Sequence, residues 1–156
     1  MVAQSSQALK DLYEKDFVLW IDQTAEQIRQ GNINNLDWEN LLAEIEALGR
    51  EQRNKVESYL IQTIKNLLMY QYWQSEKVYC ERGWIEEIDN FRIELEILLR
   101  SKTLYNYGIS ILENCYQKAK RSVIKKTEFS ARVFPEKCPY TWEEVIDFDF
   151  LPESNS

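Results

Sequence analysis

The stretch from Asp37 to Trp73 constrains the fold of this chain more than any other. It runs for 37 residues without a proline and contains one glycine, Gly49. Apolar residues recur along it at three- and four-residue steps, the spacing of one face of an α-helix. Trp38, Leu41, Leu42, Ile45 and Leu48 make one stripe, and Val56, Tyr59, Leu60, Ile64, Leu67 and Leu68 make another. Between them lies a wholly polar stretch, Gly49 to Lys55. Either one long helix crosses that gap or two helices meet there. An interior glycine costs about 1 kcal/mol relative to alanine, which a packed helix tolerates. Continuity is therefore the favoured reading, with a kink or a close helix crossing at Gly49 as the alternative.

The remaining segments read as shorter helices that cover the two stripes. Residues 1–6 are expected to fray, and Leu9, Leu12 and Tyr13 to form a short helical turn. Asp16 is placed to cap a helix over about 16–30, since its carboxylate can accept orphan amide hydrogens. Phe17, Trp20, Ile21, Thr24, Ala25 and Ile28 give that helix a face to bury, and Gly31 terminates it in the left-handed conformation. Asp37 caps the long helix, expected over 37–73. Residues 74–83 show no sustained period and read as a loop. Trp84, Ile85, Ile88, Phe91, Leu95, Leu98 and Leu99 define a helix over 84–100. Ser101 or Thr103 then caps another over 103–126, where Gly108 would allow a neighbour to approach closely and Lys125 and Lys126 suit the negative end of the helix dipole. Thr141 and Glu144 have capping-box spacing, which predicts a short helix over 142–147. Phe148, Phe150 and Leu151 are too apolar for a free tail and are expected to dock. The fold class is all-α: a compact bundle of four main helices plus a short C-terminal one, in a single domain over 1–156.

Composition narrows the function. A formal net charge of −7 disfavours a duplex-binding surface or adsorption to anionic lipid. The basic run at 118–126 reads as a solvated helix end facing the acidic tail of Glu143, Glu144, Asp147, Asp149 and Glu153. The longest purely apolar run, Phe17 to Ile21, is far shorter than a membrane span. With no signal peptide visible and three cysteines (Cys80, Cys115, Cys138) lacking any CxxC pair, a cytoplasmic setting with reduced thiols is expected. The chain has no histidine, which excludes imidazole acid–base chemistry, Ser-His and Cys-His pairs, and imidazole metal ligands.

Two constellations remain. Glu86 and Asp89 share a helix face, and with Glu44 they are weak candidates for holding a divalent cation; Glu44 and Glu46 point to different faces. The aromatic band Tyr70, Tyr72, Trp73, Tyr79 and Trp84 suits either core packing or an interaction surface, because Tyr and Trp combine large area with a polar tip. No catalytic residue and no cofactor is assigned.

The segments DFVLW (16–20), LDWENLLAEIEALGR (36–50), LLMYQY (67–72) and CPYTWEEVIDFDFLP (138–152) occur in an order that resembles the cyanobacterial domain of unknown function catalogued as family twenty-nine. The resemblance implies an all-α fold and a stand-alone small protein, and it implies no activity. Members of that family tend to carry a His where this chain has Asn66, a Lys at Met69 and a Pro at Lys102. A structural role for position 66 follows. The expected function is a non-enzymatic protein-interaction or regulatory module, with an unidentified protein partner or self-association and no nucleic acid or membrane. The alternative is a divalent-metal-dependent hydrolase of the all-α nucleotide pyrophosphohydrolase type.

Overall fold

A computed structural model describes residues 6–154. Six α-helices and two short 3₁₀ turns make up the regular structure there, and no strand occurs among the described residues. The chain divides into two compact units, Met1–Arg50 and Glu51–Ser156.

The first unit opens with α1 (Ser6–Lys15) and α2 (Phe17–Arg29). Where the sequence suggested a single turn, α1 is a ten-residue helix; most of the stretch expected to fray, residues 1–5, lies outside the described residues. Asp16 caps α2 as expected, its carboxylate accepting from Leu19 N–H at 3.1 Å. Gly31 ends the helix at φ 77°. The amide of Gly31 donates to the carbonyl of Ile28 and that of Asn32 to the carbonyl of Gln27, the paired bonds of a Schellman cap. A 3₁₀ turn at Ile33–Asn35 leads to Asp37, which is fully buried and caps the next helix through Asn40 N–H. Trp20 Nε1–H also donates to Asp37, at 3.2 Å. Tyr13, Phe17 and Trp20 form a cluster of rings with centroids 5.0–5.7 Å apart.

The long helix, α3 (Trp38–Tyr72), is continuous through Gly49. Its 35 residues rise over about 52 Å. The polar stretch after Gly49 is rich in good helix formers, and Lys55 pairs with Glu51 one turn back. The first turns of α3 belong to the first unit and the remainder to the second.

In the second unit Val56, Leu60, Ile64, Leu67 and Leu68 of α3 are fully buried, as the second stripe required. They form one core with α4 (Gln74–Leu98), α5 (Lys102–Thr127) and α6 (Trp142–Ile146). The expected loop at 74–83 is instead the first ten residues of α4, nearly three turns. Only Trp73 separates α3 from α4. Its amide still donates to Met69 and its carbonyl already accepts from Lys77, so the chain changes direction at one residue (φ −98°, ψ 69°) without losing a turn of hydrogen bonds. The apolar period that would betray this helix is missing because Val78 and Tyr79 face outward.

Ser101 caps α5 through Leu104 N–H, and Gly108 is the close-approach site expected of it: the indole of Trp142 lies directly against it. Thr141 and Glu144 complete the capping box of α6. A segment of irregular chain returns along α5, held by Tyr116 O–H to the Pro135 carbonyl, Lys120 to the same carbonyl and Cys138 N–H to Glu113. Within the basic run Lys118 pairs with Glu57, and Lys120 donates to the Pro135 carbonyl. Phe150 and Leu151 pack on the core, while Phe148 stays exposed.

Candidate functional site

Within the second unit the aromatic band is split between core and surface. Trp84 is buried and stacks on Trp73 with centroids 6.1 Å apart. Tyr72 is half-buried, edge-on to Phe134 at 5.2 Å, and burial raises its pKa. Lys77 Nζ sits 3.6 Å above the Tyr70 ring and also donates to Ser154. Tyr79 alone stands free, 83% exposed. With Trp84, Cys80, Asn66, Lys65, Glu86, Glu87 and Lys126 it lines a broad open concavity of about 630 Å³. Asn66 donates to the carbonyl of Gln62 one turn back, which ties it to its own helix.

Of the acidic candidates, Glu86 and Asp89 are exposed on successive turns of α4 and flank a shallow recess with Arg82 and Arg92. Two guanidinium groups in that lining oppose a cation. Glu44 belongs to the first unit and accepts a hydrogen bond from Tyr13 O–H, which raises the tyrosine's pKa. No group of three or more Cys, Asp or Glu side chains able to hold a metal ion occurs among the described residues.

Burial pushes Cys115 up to about 12 and Cys138 up to about 11, so both stay protonated at neutral pH. Cys80 is half-buried, packs against the core and lies 4.0 Å from a Glu76 carboxylate oxygen.

Sequence reasoning missed Arg92. It lies four residues after Ile88 and three before Leu95, on the buried face of α4, and is 2% exposed. Its guanidinium donates to the carbonyls of Val145 (2.8 Å), Phe150 (2.8 Å) and Glu144 (3.0 Å), clamping the C-terminal segment. Desolvation pulls its pKa down to about 10, with Asp147 and Asp89 acting in the opposite sense. A positive charge in register with an apolar stripe was the available signal.

The largest departure from expectation lies in the first unit. The stripe of Trp38, Leu42, Ile45 and Leu48 and the face of Phe17, Ile21 and Ile28 were expected to be buried. They are 41–62% exposed, and only Trp20 and Thr24 of the α2 face are covered. Between α2 and α3 runs an open groove of about 420 Å³, lined on one side by Phe17, Ile21 and Ile28 and on the other by Leu41, Ile45 and Leu48. Glu44 is the one charged side chain in its lining, and the Thr24 hydroxyl beside it is buried without a hydrogen-bond partner.

The described residues thus form an all-α helical protein with an open apolar groove between α2 and the start of α3. The chain belongs to the family described as "Domain of unknown function DUF29", whose model matches residues 12–151. No curated protein and no solved structure matches it. No helix of the described residues is long and apolar enough to cross a membrane.

Proposed function

We propose that this protein is a non-enzymatic interaction module that binds a partner through the groove between α2 and the start of α3. The exposed apolar lining carries this reading. Phe17, Ile21, Ile28, Ile45 and Leu48 are 41–62% exposed and lie along one groove, so their apolar surface in water is contiguous. Isolated surface leucines need no explanation, but a contiguous exposed apolar patch is a common mark of a binding site. The groove is framed by two helices of one hairpin, which makes it pre-formed and lowers the ordering cost of binding.

Affinity capture from native lysate with the wild-type chain and with Ile45→Glu tests the proposal, alongside a light-scattering mass for each. Ile45 is 57% exposed, so the variant should keep its fold by circular dichroism. A stoichiometric partner, or a self-associated species, that disappears in Ile45→Glu is the expected result. A strictly monomeric mass together with an identical capture profile for both chains would refute it.

A further inference from the structure

We infer that the groove's occupant is a cationic amphipathic helix of a partner protein, an inference that rests on the interaction reading above and adds the partner's chemistry. Shape comes first. Phe17 to Ile28 spans about 16 Å along α2, which is the length of three helical turns. Apolar side chains line both walls over that distance. A groove of this form accepts anchors repeating at three- and four-residue steps from one face of a helix.

Charge then selects among helices. Residues 1–50 hold nine acidic and four basic side chains, a net −5 out of the chain's −7. Two of those four cations are already engaged, Lys10 with Glu39 and Arg29 with Glu26. Glu44 faces the groove with a tyrosine hydroxyl as its hydrogen-bond partner, and the buried Asp37 accepts from the Trp20 indole and from the backbone and side-chain amides of Asn40, so neither carboxylate is given a cation among the described residues. A Lys or Arg flanking the apolar anchors of an incoming helix would supply one to Glu44. The same field argues against the other occupants. A second copy would bring another net −5 to the contact, and like charges across an interface suppress association. An anionic bilayer or a phosphate backbone is repelled in the same way.

Fluorescence anisotropy with three labelled synthetic helices of about 16 residues tests the inference on the full chain. One carries Leu and Ile anchors flanked by Lys and Arg, one carries the same anchors flanked by Glu, and one is the basic peptide scrambled to destroy its apolar face. The expected outcome is saturable binding of the basic amphipathic helix only. Glu44→Gln, which keeps an acceptor for Tyr13, should weaken it about fivefold, the scale of one partly exposed ion pair. Ile45→Glu should weaken it at least about tenfold, as loss of a central anchor does. Raising salt from 0.05 to 0.5 M should weaken it severalfold through screening. Equal binding of the acidic helix would overturn the cationic assignment while leaving the interaction reading standing. A dimer abolished by Ile45→Glu would likewise overturn this occupant and keep that reading. A monomer that binds none of the three helices would overturn this inference, and the lysate capture then decides the broader one separately.

Discussion

Replacing Gly108 with alanine should destabilise the protein even though alanine is the better helix former. A Cβ at residue 108 would stand 2.5 Å from Cη2 and 3.1 Å from Cζ3 of Trp142. Carbon atoms rest at about 3.5–4.0 Å, so the indole must retreat by roughly 1 Å. It is poorly placed to do so. Trp142 is buried, lies edge-on to Tyr105 at 5.4 Å, and begins a helix held by a capping box and by Arg92. Overpacking of a core usually costs about 1–3 kcal/mol, and this overlap belongs at the upper end. Helix propensity returns about 1 kcal/mol, leaving a net loss near 2 kcal/mol. For a chain of this length that lowers Tm by about 4–8 °C. Gly83 provides the control, because a Cβ there meets nothing within 4 Å. Gly83→Ala should therefore stabilise by about 0.5–1 kcal/mol. Denaturant unfolding of both variants, and of Gly108→Ala in a Trp142→Leu background, completes the test. In that background the cost of Gly108→Ala should vanish. The reasoning fails if Gly108→Ala is as stable as wild type, or if its cost persists once the indole is gone.

Three further outcomes follow from buried groups in the second unit. Arg92→Met leaves three backbone carbonyls without their charged donor and should cost about 3 kcal/mol, with protease cleavage appearing first after residue 140 as the C-terminal segment loosens. Alkaline pH should unfold the protein: Cys115 and Cys138 have folded pKa values of about 12 and 11 against 9.0 for free thiols, and burial also raises Tyr116 and Tyr140. The folded state thus retains protons that the unfolded state has lost. Their stabilising contribution is complete below pH 9 and disappears as pH rises toward 12, which absorbance of tyrosinate and circular dichroism should report as one transition. Native protein at pH 8 should react with Ellman's reagent at Cys80 first, with Cys115 and Cys138 becoming reactive only in denaturant; fast labelling of Cys115 in the native state would contradict its burial.

Most of the helical framework was legible in the amino-acid sequence. Local chemistry explains why: Asp16, Ser101 and the Thr141–Glu144 pair satisfy orphan amides with their own side chains, and Gly31 supplies the positive φ that ends α2. These devices act within a few residues and leave a sequence signature. The first turns of α4 were not legible because Val78 and Tyr79 point outward, which removes the period a reader looks for. Arg92 was hidden for the opposite reason, since its value lies in three carbonyls more than fifty residues away. The candidate site was the least legible part. The apolar residues of the groove were found, but periodicity marks which side chains share a face and carries no information about what covers it.

The amino-acid order by itself therefore determined the all-α class, the caps and the buried stripe from Val56 to Leu68, all consequences of spacing and local hydrogen bonding, while the continuity of α3 through Gly49 was favoured by it and settled by the fold. Tertiary structure decided which of the two stripes on α3 is covered. Covering depends on how much surface the other elements can supply. In the second unit α4, α5 and α6 close over one stripe, while in the first unit the α2–α3 hairpin leaves Phe17, Ile21, Ile45 and Leu48 facing water.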